Sequence, residues 1–123
     1  MIPKIIHFCW LSNDPYPMLI NHCIKHWQRV LPDYEIRIWD TQRFDLSLSA
    51  WAREAFENKK YAFAADYIRA YALYTEGGWY FDSDLWLKRD ITTLADARFV
   101  SCYECYTLDG SVGGIQAAFL GSE

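Results

Sequence analysis

The sequence lacks the features that mark membrane-spanning and nucleic-acid-binding proteins. No apolar run approaches the roughly 20 residues that a membrane-spanning helix needs. There is no basic tract, and the formal net charge is −4. Because nucleic-acid binding depends on clustered positive charge, we expect this chain neither to bind nucleic acid nor to span a membrane.

Internal repeats and linkers are also absent, and 52% of the 123 residues are apolar. A chain of this length and composition can bury a core, which excludes a disordered segment. We therefore expect a single domain over residues 1–123. The first predicted strand follows Met1 almost at once and leaves no room for a signal peptide, so we expect a cytoplasmic protein.

The sequence has only four cysteines, Cys9, Cys23, Cys102 and Cys105. Four thiols could form disulfides or bind zinc. Cys102 and Cys105 fall in a predicted strand, where residues three apart face opposite sides, and this argues against a zinc site. We expect free, buried thiols in a reducing compartment.

Strands and helices alternate along the chain. The first strand is apolar on both faces, which is typical of a central parallel strand. The helix at residues 61–76 is apolar or small almost all round, so we expect it to be buried. Residues 85–87 are expected to continue the extended run that begins at residue 79. The predicted strands are residues 4–10, 34–39, 79–81, 99–106 and 115–120, and the predicted helices are residues 17–30, 50–57 and 61–76.

Three residues in or after predicted strands have two interpretations each. Trp10 ends the first strand, and ligands of open α/β sheets bind beyond the carboxyl ends of strands. Trp10 therefore either offers a flat face to a base or packs in the core. His7 is either a core histidine or a catalyst or ligand. Asp40, after the second strand, either contributes to a nucleotide pocket or caps a turn.

Two charged residues interrupt the apolar helix. Asp66 and Arg69 are three apart and so share one helix face. Buried charges need partners or a purpose. One interpretation is a mutual salt bridge. The other is that both point into a polar pocket, where Arg69 contacts sugar or phosphate oxygens and Asp66 accepts sugar hydroxyls.

The segment after this helix carries the clearest chemical signal. Gly77 and Gly78 end the helix, residues 79–81 form a short strand, and Asp82 and Asp84 follow with one residue between them. On a pleated backbone such residues project to the same side. Two carboxylates so placed suit Mg²⁺ or Mn²⁺, which commonly shares its remaining positions with substrate phosphates. The alternative is that both aspartates cap a surface turn.

Three blocks of sequence resemble glycosyltransferase family 32, the DXD-motif sugar-binding transferases. The blocks are IPKIIHFCW at residues 2–10, PDYE at 32–35 with WD at 39–40, and ADYIR at 65–69 with LY at 73–74 and GGWYFDSD at 77–84. The third block is the most specific, because its pieces keep a fixed mutual spacing. The resemblance extends over nearly the whole chain.

The resemblance implies an α/β protein of the GT-A type, a Rossmann-like fold that binds a nucleotide-sugar and a divalent metal, Mn²⁺ or Mg²⁺. Trp10 corresponds to the aromatic residue that stacks on the base. Asp66 and Arg69 correspond to donor-sugar contacts. Asp82 corresponds to a contact with ribose and sugar and to a metal ligand, and Asp84 to the direct metal ligand. Asp82, Asp84 and Arg69 are thus the expected catalytic group.

The resemblance also implies an activity. We expect a retaining, hexosyltransferase-like enzyme that moves sugar from a UDP-sugar to a saccharide or glycolipid acceptor in capsular or other surface polysaccharide synthesis. Its expected location is the cytoplasm, with the inner face of the membrane as a peripheral site. Family members continue beyond the point where this sequence stops, so we expect an incomplete domain. The alternative is a noncatalytic nucleotide-sugar-binding remnant.

A metal-dependent phosphatase with Asp82 as nucleophile is a further alternative. Such enzymes place their Asp-x-Asp triplet after an early strand and follow it with Thr or Val. Here the triplet is late and Leu85 and Trp86 follow it, which disfavours a phosphatase.

Overall fold

The computed structural model describes residues 1–104 and 108–123, and within them five strands form one sheet. The strand order is β2-β1-β3-β5-β4. No helix among these residues has both the length and the apolar character needed to cross a membrane. The strands are β1 (Ile5–Cys9), β2 (Glu35–Trp39), β3 (Gly78–Phe81), β4 (Phe99–Tyr103) and β5 (Ile115–Ser122), and the α-helices are α1 (Met18–Val30), α2 (Ala50–Glu57) and α3 (Tyr61–Glu76).

The sheet is parallel in one half and antiparallel in the other. Strand β1 pairs in parallel with both β2 and β3, which confirms that the first strand is central. Strand β5 pairs antiparallel with β3 and with β4. Because β1, β2 and β3 run in the same direction, their carboxyl ends meet at one edge of the sheet, and this edge positions the site described below.

Two apolar clusters cover the two faces of the sheet. On one face, α1 packs Trp27 against Ile6 and Phe81 in the larger cluster. On the other face, α3 packs Ile68 beside Trp39 in the second cluster. The alternation of side chains along β1 explains this division, because successive residues point to opposite faces.

His7 is fully buried on the second face and is held by the backbone and by β2. Its Nε2 donates to the carbonyl oxygen of Gly77 over 2.8 Å, and its Nδ1 accepts from Trp39 Nε1 over 3.0 Å. Burial lowers the pKa of His7 below its ordinary value, so the neutral ring matches both partners. The core interpretation of His7 is therefore the correct one.

Helix α3 has the predicted bounds but not the predicted burial. Ala64, Ile68 and Ala72 form a buried stripe four residues apart, as expected for one face of a helix. On the opposite side Phe63 is exposed and Tyr74 is 91% exposed. The expectation that the whole helix is buried was wrong. Helix α3 covers one face of the sheet, so one side of the helix packs in the second cluster and the other side faces solvent.

Two glycines turn the chain from α3 into β3. Gly77 and Gly78 have φ values of 64° and 100°, which favour residues without a Cβ. A Cβ on Gly78 would lie 2.8 Å from the carbonyl oxygen of Ile5. The close approach of β3 to β1 therefore requires glycine at this position.

The structure bears on three of the four cysteines and on most of the fourth predicted strand. Cys9, Cys23 and Cys102 are free thiols, and of these Cys23 is fully buried whereas Cys9 and Cys102 are partly exposed. Cys105 and the end of the strand predicted at residues 99–106 fall outside the described residues. Within them, β4 ends at Tyr103.

Candidate functional site

A cavity of about 510 Å³ opens at the sheet edge where β1 and β3 end. All five residues that the sequence predicts for the site line this cavity: Trp10, Asp66, Arg69, Asp82 and Asp84. They come from the loop after β1, from α3 and from the turn after β3. The short connection between α3 and β3 accounts for this convergence, because it returns the chain directly to the edge that α3 covers.

Arg69 is the centre of the polar contacts in the cavity. Its Nη1 lies 3.2 Å from Asp66 Oδ1, and its Nη2 lies 3.2 Å from Asp82 Oδ1. Its guanidinium carbon lies 4.6 Å from the centroid of the Tyr80 ring, which is cation–π distance. The two interpretations of Asp66 and Arg69 are thus compatible, because the pair forms a salt bridge and also lines the cavity.

The carboxylate pair lies on a turn and not on an extended strand. The backbone N–H of Asp82 donates to Ala118 O of β5 over 2.8 Å. The N–H of Leu85 then donates to Asp82 O over 2.9 Å and closes the turn. The expectation that residues 85–87 continue the strand was wrong. Asp82 and Asp84 nevertheless both reach the cavity, although the pleat of a strand does not align them.

The environment of Asp82 disfavours its negative charge. Burial raises the pKa of Asp82, the attraction of Arg69 opposes that shift, and the nearby negative charges of Asp84 and Asp66 add to it. The side chain of Asp82 is 38% exposed, so solvent screens part of these interactions. A cation placed near both carboxylates would relieve the repulsion between them.

The donor atoms fit a hard divalent cation that brings further ligands with it. The carboxylate oxygens of Asp82 and Asp84 are of the kind that Mg²⁺ and Mn²⁺ prefer. Among residues 1–104 and 108–123, no group of three or more His, Cys, Asp or Glu side chains forms a metal cluster. The described residues therefore suit a cation that completes its shell with phosphate oxygens or water.

Tyr80 is a cavity residue that the sequence analysis did not single out. It alternates with Trp79 and Phe81 along β3, and the two flanking rings point to the first core cluster. Tyr80 lines the cavity, and burial raises the pKa of its hydroxyl. Burial also raises the pKa of the Cys9 thiol, which lines the same cavity, to about 12. The alternation of side chains was the available signal, since it places Tyr80 on the same face as α3.

Trp10 lies between two cavities. It lines the first cavity and also a neighbouring one of about 550 Å³. Its Nε1 donates to Asp14 O over 2.9 Å, and its ring meets Tyr16 edge-on with centroids 5.3 Å apart. It is partly exposed and packs at the margin of the first core cluster. The ring therefore has both a packing contact and a surface that faces the cavities.

Asp40 caps a turn and also lines the neighbouring cavity. Its Oδ1 accepts from the backbone N–H groups of Gln42 and Arg43 over 3.0 and 2.9 Å. This is the capping interpretation. Asp40 also lines the cavity beside Trp10.

The fold resembles a solved glycosyltransferase. The structure titled "PaToxG Glycosyltransferase" superposes with a TM-score of 0.62 and 19% sequence identity. The match covers 74% of this chain and 45% of the solved glycosyltransferase chain. This chain therefore spans less than half the length of that glycosyltransferase chain. At this identity the likeness shows the fold alone, and it fits a GT-A, Rossmann-like fold. No curated protein sequence matches the chain significantly.

The sequence itself defines the family. Residues 17–100, about two-thirds of the chain, match the family described as "Glycosyltransferase sugar-binding region containing DXD motif". The chain therefore belongs to this family. The match includes Asp66, Arg69, Asp82 and Asp84, and Trp10 lies before it. Membership of family 32 in particular stays a prediction.

Proposed function

We propose that the cavity binds a nucleoside diphosphate sugar together with Mn²⁺ or Mg²⁺ and that residues 1–123 act as one nucleotide-sugar-binding domain. One observation carries the proposal. A half-buried arginine, two aspartates that follow one strand and an indole that follows another line a single cavity at the carboxyl edge of the sheet. This is the edge at which α/β folds bind nucleotides.

Each side chain has a proposed part in binding the donor. Trp10 would stack on the base, for which its position between the two cavities is suitable. Arg69 makes one contact with each of two aspartates, and its remaining N–H groups can donate to phosphate or sugar oxygens. Asp66 would accept a sugar hydroxyl.

Asp84 and Asp82 would hold the divalent cation. Asp84 is exposed to the cavity, whereas Asp82 is shared with Arg69, so Asp84 is the more available ligand. When bound, the cation supplies Lewis-acid stabilisation of the negative charge on the leaving diphosphate. Arg69 adds a fixed positive charge beside it, and such preorganised charge lowers the barrier to departure.

The finer points of the proposal rest on the resemblance and not on the geometry. They are a UDP-sugar donor, hexosyl transfer with retention, a saccharide or glycolipid acceptor, a role in capsular or other surface polysaccharide synthesis, and a cytoplasmic or membrane-peripheral location. In such a transfer the sugar would develop oxocarbenium character as its bond to the diphosphate breaks.

Replacement of Asp84 tests the proposal. We expect Asp84→Asn to abolish Mn²⁺-dependent binding of a nucleotide-sugar, because the amide cannot replace the charge of the ligand. The melting temperature should stay nearly constant, because surface substitutions usually change the free energy of unfolding by no more than about 0.5 kcal/mol. Calorimetric titration with and without Mn²⁺ measures the binding.

Asp96→Asn is the matched control. Asp96 is also exposed, and it does not line either cavity next to Trp10. Metal-dependent binding that survives Asp84→Asn would contradict the assignment. Loss of binding in both variants would show that the effect is not specific to the site.

Binding without transfer is the second candidate function. It predicts that the purified chain binds donor and Mn²⁺ but neither transfers nor hydrolyses the sugar.

A further inference from the structure

The three residues that follow the carboxylate turn lie against helix α1. We call Leu85, Trp86 and Leu87 the 85–87 segment. It belongs to neither a helix nor a strand. Leu87 is buried in the first core cluster and Leu85 packs against that cluster. The side chains at both ends of the segment therefore anchor it to the core.

Two neighbouring side chains of α1 donate to the carbonyl oxygens of this segment. Trp27 Nε1 donates to Leu85 O over 2.8 Å, and His26 Nε2 donates to Leu87 O over 2.6 Å. Within the part of the chain that the structure describes, neither oxygen pairs with a strand, because the segment lies outside the sheet. The contacts from α1 thus supply hydrogen bonds that a sheet would otherwise provide.

Trp86, the residue between the two leucines, is also in contact with His26. The rings of His26 and Trp86 stack with centroids 3.7 Å apart and an angle of 5° between their planes. Trp86 is 55% exposed, so the histidine covers a ring that would otherwise be free in solvent. His26 therefore contacts the segment twice, through a ring face and through a hydrogen bond.

The turn that carries Asp84 is fixed at its two ends. At the start, Asp82 N–H is bonded to β5. At the other end, Leu85 leads directly into the 85–87 segment. Asp84 itself is exposed, and its side chain makes no hydrogen bond or ion pair with any other of the residues that the structure describes. The direction of its carboxylate therefore depends on where the 85–87 segment is held.

We propose that His26 is a positioning residue for Asp84: by holding the 85–87 segment against α1, it keeps the turn in the conformation that presents Asp84 to the cation. The inference rests on the proposed function, since it assumes that Asp84 binds the cation. A metal ligand must be held to within about 0.5 Å of its productive position. A residue that supports a ligand from behind therefore affects metal affinity without touching the metal.

The first test compares His26→Ala with His22→Ala. His22 lies one turn earlier on α1 and is exposed, so it controls for removal of a histidine from the helix. UDP-glucose is the donor used, and binding is titrated against Mn²⁺. We expect His26→Ala to raise the half-saturating Mn²⁺ concentration roughly 10- to 100-fold, with little change for His22→Ala.

The second test needs no metal or nucleotide. The N–H of Leu85 closes the turn, so its hydrogen exchange, followed by NMR, reports how often the turn opens. We expect faster exchange at Leu85 in His26→Ala, whereas the exchange of core amides in β1 stays unchanged. Unchanged exchange at Leu85 would overturn the proposal.

Two conservative variants keep the proposal testable if His26→Ala does not fold. His26→Gln keeps a hydrogen-bond donor but loses the stacked ring, and His26→Phe keeps a ring but loses the donor. We expect each to lie between the wild-type protein and His26→Ala in both measurements. Wild-type values in both variants would overturn the proposal. If the wild-type protein shows no Mn²⁺-dependent binding, the proposed function fails, and Leu85 exchange still decides whether His26 orders the turn.

Discussion

At the scale of single residues, the charges of the site are only partly balanced by the side chains around them. Arg69 is 14% exposed and is shared by two aspartates. Asp82 remains unfavourable as a carboxylate despite Arg69, because burial outweighs the attraction. The charged site therefore lowers the stability of the folded protein, and its carboxylate stays available to a ligand.

The pH dependence of stability follows from the raised pKa of Asp82. In the unfolded chain this carboxyl ionises near pH 4, whereas in the folded protein it holds its proton to higher pH. Its ionisation therefore destabilises the folded state, and this effect appears as the pH rises through the unfolded pKa towards the folded one. Below about pH 4 both states are protonated and the effect vanishes.

We therefore expect Asp82→Asn to melt at a higher temperature than the wild-type protein at pH 7 while donor binding is lost. The difference in melting temperature should disappear as the pH falls to about 4. Thermal melts followed by circular dichroism between pH 3 and 8 measure it. A variant that is less stable at pH 7 would show that the contact with Arg69 outweighs the cost of burial.

Trp10 provides a second prediction at this scale. We expect Trp10→Ala to weaken binding of a uridine nucleotide by about 1–3 kcal/mol, because base–aromatic stacking has this magnitude. This corresponds to a rise of about 5- to 150-fold in Kd, measured by calorimetry. Trp51→Ala is the control, since Trp51 is exposed on α2. Equal affinity of Trp10→Ala and wild type would assign Trp10 to packing alone.

At the scale of elements, the helix–turn–strand unit of α3 and β3 brings most of the site together. Its geometry depends on Gly78, which has a φ of 100° and lies against Ile5. A Cβ at this position would force β3 away from β1.

We expect Gly78→Ala to lower the free energy of unfolding by about 1–3 kcal/mol, because of the strained φ and the contact with Ile5. Urea denaturation followed by tryptophan fluorescence measures this. Gly114→Ala is the matched control, because an added Cβ there has no heavy atom within 4 Å. If both variants lose a similar amount of unfolding free energy, the turn has no special requirement for glycine at Gly78.

The elements themselves were largely predictable. The helices at residues 50–57 and 61–76 have the predicted bounds, because helical periodicity and a terminal glycine are local signals. The exposure of α3 was not predictable from its composition. Whether an apolar face is covered depends on which element packs on it, and no local pattern records that.

At the scale of the whole molecule, the question is whether this chain binds its ligands as a unit. We expect a nucleotide-sugar and Mn²⁺ together to raise the melting temperature, and each alone to raise it less. At a ligand concentration 100 times Kd, the free energy of unfolding should rise by about 2.7 kcal/mol. A thermal-shift screen of nucleotide-sugars with and without Mn²⁺ measures this and identifies the donor.

The same samples distinguish the two candidate functions. Release of nucleoside diphosphate, with or without an acceptor, would establish catalysis. A thermal shift without turnover would favour binding alone. No shift with any donor, in the presence or absence of Mn²⁺, would contradict both.

The sequence by itself determined the family and the order of the elements, and it pointed to five of the residues that line the cavity. These followed from local spacing and from the resemblance carried by the three sequence blocks. Tertiary structure decided what those residues contact. The salt bridge of Arg69 with Asp82 joins residues 13 positions apart, and the hydrogen bond from His26 to Leu87 joins residues 61 positions apart. The physical reason is that hydrogen bonds and ion pairs act over a few ångströms, so only the folded chain establishes them.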